Sequence, residues 1–303
     1  MTSANKFPNF FILGAAKAGT TSLFDALNQH PQVYFPLVKE PAFFCDDSYY
    51  ARGLDWYAQT YYQASGGQPA RGEATSRYLF WGEKVAARIH LMSPSNPPRF
   101  IIIFREPASL VHSFYWNSVR EGQEDLELSQ ALEKEAERLA QRGAQLKAEG
   151  QILFAYSRIG LYAQQVKYYL DLFPRRQFLF LLTDDLKDFS ALTKKMQNFL
   201  ELDDYSADIK PVTSNSAALP HSASLHQWLR NRSRIKDVLK SFIPLNVRHR
   251  LKMSALEMNL KAFQYPALDP GIEARLRAQY RNEMFALESI IQRDLSAWHT
   301  EPA

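Results

Sequence analysis

Cysteine is almost missing from this chain. Cys45 is the one cysteine in 303 residues, which excludes an intrachain disulfide and any cysteine-rich metal site. A thiol-poor composition points to a reducing, cytoplasmic compartment. No apolar run reaches the roughly 18 residues that a membrane-crossing helix needs, and residues 1–8 carry no signal-peptide pattern. We therefore expect a cytoplasmic protein without membrane insertion. Strong charge is also lacking. Lys and Arg total 36 against 32 Asp and Glu, a net charge of +4. That excess suits an anionic ligand but is too mild to argue for nucleic acid, and no nucleic-acid partner is expected. No internal repeat and no low-complexity tract breaks the chain. Oligomeric state stays open.

What is present is a globular composition, 46% hydrophobic and 22% charged, with 20 Phe and 15 Tyr to build a core of packed rings. One stretch organises the rest. Phe10-Phe11-Ile12-Leu13 reads as a buried strand, Gly14-Ala15-Ala16-Lys17-Ala18-Gly19 as a small-residue loop, and Thr20-Thr21-Ser22-Leu23 as a helix start. A strand feeding a glycine loop at a helix N-terminus makes an anion cradle, because unpaired N–H groups and the positive helix end converge there. The nucleotide-phosphate loop has the form G-x-x-x-x-G-K-[ST]. Gly14 and Gly19 keep its glycine spacing, but Thr20 stands where the lysine belongs, and the lysine has moved to position 17.

The pattern downstream alternates. Strands are predicted at 7–14, 70–74, 100–104 and 177–182, and helices at about 19–28, 53–62, 83–92, from 107 onward, 157–173 and 188–202. Residues 33–44, flanked by prolines, read as an aromatic loop. Residues 123–150 are charged, with Leu128, Leu132, Ala136 and Leu139 at helical spacing, and read as a solvated surface helix or a cover over a site. Residues 211–224 read as a loop. The rest is helical, at about 222–241 and at 270–296 with a break. This alternation predicts an α/β fold: a single domain over 1–303, with a central parallel sheet flanked by helices and a helical C-terminal part. Ligands then bind at the carboxyl ends of the strands.

Three charged residues sit where that crevice should be. Lys17 lies inside the cradle. Arg105 ends the buried strand Phe100–Phe104, with Ser113 eight residues on in the next helix, placed to grip a second phosphate. An ion pair with Glu106 or another carboxylate is its structural alternative. Glu73 sits at the end of the strand Ala70–Ala74, where a carboxylate can act as a general base; position alone favours an ordinary strand-end glutamate. Thr183-Asp184-Asp185 follows the fourth strand and is the candidate for the acidic metal ligand that a phosphoryl-transferring kinase would need. The displaced lysine argues against that reading, and also weighed is a nucleotide-binding protein without turnover.

Together these segments resemble the sulfotransferase family, which uses 3′-phosphoadenosine 5′-phosphosulfate (PAPS). Lys17-Ala18-Gly19-Thr20-Thr21-Ser22 resembles its 5′-phosphosulfate loop. Ile102-Ile103-Phe104-Arg105-Glu106-Pro107 with Ser113 resembles its 3′-phosphate segment. Lys39-Glu40-Pro41-Ala42-Phe43-Phe44 and Gly72-Glu73-Ala74 resemble the branch holding the heparan sulfate enzymes and bacterial relatives. The resemblance implies sulfuryl transfer from PAPS to a hydroxyl or amine, with PAP as product and no metal. It implies Glu73 as base and Lys17 on the leaving phosphate, with residues 17–22, Arg105 and Ser113 binding the co-substrate. Lys39, Glu40, Phe43 and Tyr78 become candidates for the acceptor, first a carbohydrate, then a lipid, polyketide or other small-molecule hydroxyl. The Golgi heparan enzymes close the pocket with a disulfide-bonded Lys/Gly/Arg-rich loop. Arg248, Arg250 and Lys252 lie in the matching region without its glycine, and one cysteine cannot form the disulfide.

Overall fold

The computed structural model describes residues 7–93, 97–212, 218–220 and 260–299. Its centre is a five-stranded parallel sheet: β1 (Phe10–Gly14), β2 (Val33–Tyr34), β3 (Ala70–Ala74), β4 (Arg99–Phe104) and β5 (Phe178–Leu182), in the spatial order β2-β3-β1-β4-β5. Strands buried on both faces read as continuous apolar runs. Ile101, Ile102, Ile103 and Phe104 of β4 are each fully buried. By position in the chain, α1 (Thr20–Leu27) follows β1, α2 (Asp47–Tyr50) and α3 (Leu54–Tyr61) precede β3, and α4 (Gly82–Met92) leads to β4. After β4 come α5 (Pro107–Arg120), α6 (Leu128–Glu133), α7 (Glu135–Ala148) and α8 (Tyr162–Leu170); α9 (Phe189–Leu200) follows β5. A second, antiparallel pair joins β6 (Ala218–Pro220) to β7 (Leu260–Ala262), and α10 (Pro270–Ile291) and α11 (Ser296–His299) complete the described chain.

The α/β expectation and the break near the end of 270–296 agree with this architecture; the expected helix over 222–241 and the basic residues 248–252 lie outside the described residues. Three boundaries differ. Val33 and Tyr34, read as loop, form an edge strand that pairs in parallel with Ala70 and Arg71. Residues 123–150 hold two helices rather than one, broken at Lys134. The segment is not simply solvated: Leu128, Ala131 and Leu146 are buried, and Glu124 anchors it through Arg138 Nη1 at 2.7 Å and the Tyr156 hydroxyl at 2.7 Å. The helix expected from 157 starts at Tyr162. Before it, Gly160 lies so close to Tyr280 that an added Cβ would stand 2.9 Å from the ring.

Candidate active site

The carboxyl ends of β1 and β4 open into a cleft of about 980 Å³. Two glycines make its loop possible. Gly14 (φ 150) would place a Cβ 2.8 Å from the Ser76 carbonyl, and Gly19 (φ 111) one 2.8 Å from Leu186 Cδ1. Gly19 is the residue before α1, and no side chain caps that helix. The first N–H groups of Thr20, Thr21 and Ser22 therefore face the cleft as donors with no partner inside the helix. The loop is pinned from behind by Ala15 N–H donating to the Ile103 carbonyl at 2.7 Å and by Thr183 Oγ1, 3.0 Å from both the Ala18 and Phe104 carbonyls.

Lys17 takes a left-handed backbone (φ 67) and donates from Nζ to Asn117 Oδ1 at 3.1 Å. Burial, reinforced by the nearby Arg120 charge, pulls its ammonium down to about 8, against weaker support from Glu121 and Glu40. Arg105 donates from Nη1 to the Lys17 carbonyl at 3.2 Å, so the two sequence motifs meet in space. The pairing of Arg105 with Glu106 does not form. Glu106 instead caps α5, accepting from Ala108 N–H at 3.1 Å and Ser109 N–H at 2.7 Å. Ser113 lines the same cleft. His112, beside it, accepts a hydrogen bond from Trp116 Nε1 at 2.9 Å, which occupies the nitrogen a base would use.

The acceptor-side expectations fare unevenly. Glu73 does not reach the cleft. It is fully buried inside β3 and accepts hydrogen bonds from the hydroxyls of Tyr57, Tyr78 and, at 3.0 Å, Thr75. Burial still outweighs those three donors and lifts its carboxyl to about 7. The reason lies in register. Glu73 pairs with Phe11, and in-register residues of parallel strands point to the same sheet face. That face is the aromatic core: Phe11 packs on Phe44 and Tyr78, and Tyr57 of α3 covers Glu73. Phe43 and Tyr78 are likewise fully buried, Phe43 stacked on Tyr57 at 4.3 Å, and neither is among the residues that line the cleft. Lys39 turns to the start of α1, its Nζ 2.6 Å from Thr21 Oγ1.

Glu40 does line the cleft. Its carboxylate accepts from Ser76 Oγ at 2.7 Å and lies 3.9 Å from Arg77 Nε. Glu121 and Glu149 also border the cleft, but Glu121 is buried against Arg120 and Glu149 sits on the exposed end of α7. Asp185, the candidate metal ligand, is held by Arg293 Nη1 and Nη2, at 2.5 and 2.9 Å, and accepts from Leu182 N–H. The sequence reading missed Asn117, Arg120, Arg77 and Tyr265. Asn117 and Arg120 follow Ser113 by four and seven residues, one face of α5, and that periodicity is the signal that would have found them. Tyr265, stacked on Trp116 at 5.3 Å, carries no such local signal.

A profile of the sulfotransferase domain matches residues 7–218. The chain belongs to the sulfotransferase family. Human heparan sulfate glucosamine 3-O-sulfotransferase 6 is 33% identical over 201 residues, covering 65% of this sulfotransferase and 53% of the human protein. The membrane-associated sulfotransferase kil1 of Dictyostelium discoideum is 35% identical over 115 residues, covering 37% and 23% of the two chains. This chain thus spans about half the length, or less, of these curated relatives. The crystal structure of a sulfotransferase from Alicyclobacillus acidocaldarius superposes with a TM-score of 0.70 at 28% identity, over 97% of this chain and 99% of that one. Among the described residues of this sulfotransferase, no helix is long and apolar enough to cross a membrane.

Proposed function

We propose that this sulfotransferase moves a sulfuryl group from PAPS to a hydroxyl or amine, with a carbohydrate as the first acceptor class. The observation that carries the reading is one cleft holding an uncapped helix start, a half-buried lysine resting on a neutral amide, and Glu40 on its lining. The N–H groups of α1 and the ammonium of Lys17 suit the 5′-phosphosulfate, and Arg105 with Ser113 suits the 3′-phosphate. The donor supplies an activated S–O bond; the protein supplies position and charge. Lys17 offsets charge developing on the leaving phosphate oxygen. Glu40 takes the proton of the acceptor O–H or N–H as the new bond to sulfur forms, a role its place on the cleft supports and the burial of Glu73 does not. Ser76 orients that carboxylate. Arg77, Gln123 and Gln151 give the acceptor side a polar wall, and the heparan sulfate enzymes among the relatives favour a sugar there.

The test is binding, then transfer. PAP should raise the melting temperature more than ATP with Mg²⁺ does, and radiolabelled PAPS should label heparan sulfate in preference to 4-nitrophenol. Stabilisation by ATP–Mg²⁺ alone would sink the sulfotransfer reading. Label on 4-nitrophenol alone would move the acceptor to the small-molecule class.

A further inference from the structure

Glu73 is a buried carboxylate that sulfuryl transfer, as proposed above, leaves without a task. Its surroundings assign one. A hydroxyl has a single proton, so a hydroxyl that donates to Glu73 must turn its oxygen elsewhere. The oxygen of Tyr78 accepts from Phe44 N–H at 3.0 Å, and that of Thr75 accepts from Ala42 N–H at 3.4 Å. A third bond runs from Glu40 N–H to the Ala74 carbonyl at 3.1 Å. Residues 40–44 thus hang from the end of β3 by three bonds, two of them polarised by Glu73. The segment needs holding. Glu40 (φ 58) and Ala42 (φ 59) both occupy the left-handed region, which non-glycine residues adopt only when their surroundings impose it. Phe43 of the same segment is stacked on Tyr57, which also donates to Glu73.

We infer that Glu73 is a positioning residue for transfer: through the hydroxyls of Tyr78 and Thr75 it locks the left-handed 40–44 segment that presents Glu40 to the cleft. This rests on Glu40 being the base. In that role Glu73 touches neither donor nor acceptor. Its effect belongs in kcat, with PAP affinity preserved, because none of those three bonds involves a residue of the cradle at Gly14–Ser22.

The experiment compares Glu73→Gln, Thr75→Val, Thr75→Ser, the Glu73→Gln/Thr75→Val double variant and Glu40→Gln. Amide exchange at Ala42 and Phe44 is followed, and transfer from PAPS is measured to heparan sulfate, or to water where the polysaccharide takes no label. Glu73→Gln and Thr75→Val should each lower kcat about 10- to 100-fold, keep the Kd for PAP within about twofold, and speed exchange at Ala42 and Phe44 while leaving the amides of α1 unchanged. Thr75→Ser should restore kcat, and the double variant should be no worse than the poorer single one, since both act along one chain of bonds. Unchanged kcat in Glu73→Gln, multiplied losses in the double variant, or a matching loss of PAP affinity would each overturn the inference. Loss of transfer in Glu73→Gln as complete as a base demands, with Thr75→Val active, would overturn it too. Retained activity in Glu40→Gln would remove the base assignment instead, a result the exchange data leave separate. Should Glu73→Gln not fold, Thr75→Val and its serine rescue decide alone.

Discussion

The outlets of β1 and β3 lie side by side in the sheet and do opposite things with their polar groups. At the end of β1 the chain leaves donors open: the N–H groups of Thr20 to Ser22 lack helix partners, and Lys17 rests on an amide. At the end of β3 almost everything is closed. Glu73 takes three hydroxyls, and two of those hydroxyls take the backbone of residues 42–44. An open outlet is free to bind; a closed one holds. The charged residue that lines the cleft at the second outlet belongs to neither strand but to the segment hung from it, where Glu40 sits on a left-handed backbone.

That contrast can be broken by substitution. The largest effect should follow Glu40→Gln, about a thousandfold in kcat with PAP affinity within about twofold; a comparable loss of affinity would place Glu40 on the donor side. Next is Glu73→Ala, which strands buried hydroxyls and should cost about 3–5 kcal/mol of stability, read from denaturant midpoints. An unchanged midpoint would mean the closed outlet holds nothing. Arg105→Ala should weaken PAP about 10- to 100-fold and leave adenosine 5′-phosphosulfate, which lacks the 3′-phosphate, nearly unaffected; equal losses for both would move Arg105 off the 3′-phosphate.

The smallest effect is one of pH. With burial holding Lys17 at about 8 in the free protein, an arriving anion raises that value. Between about pH 7 and pH 8 the lysine is charged before and after binding and the phosphates of PAP are fully ionised, so PAP affinity should be flat there. Above pH 8 the free lysine is neutral and must gain a proton on binding. Affinity should then fall by up to about tenfold per pH unit until the bound-state value is reached. Titration calorimetry in two buffers of different ionisation heat would show the proton uptake. A flat profile to pH 10 would mean that Lys17 is charged in the empty cleft throughout.

The open outlet was legible in the sequence because its signal is local. A strand, a glycine loop and a helix start are contiguous, and Arg105 and Ser113 share one strand–helix unit. The closed outlet was not. Whether Glu73 points into a crevice or across a sheet face depends on strand register and on what covers the face, here Tyr57 of a helix sixteen residues earlier. The two-residue β2 is too short to show a period, and it exists only because β3 offers an edge. Glu40 was visible within Lys39-Glu40-Pro41, but its left-handed backbone, which aims it, is set by contacts with residues 74–78.

The partner of Lys17 also bears on how fast a ligand is admitted. A cation waiting on a carboxylate would have to break an ion pair, and expel a charge, before an anion could take its place. Lys17 waits instead on the carboxamide of Asn117, whose oxygen also receives Arg120 at 2.8 Å. Exchange costs one modest hydrogen bond, and the amide keeps Arg120 when Lys17 departs. The resting cleft is thus already arranged for an anion's arrival, and its occupancy should be governed by the concentration of that ligand rather than by a slow opening step.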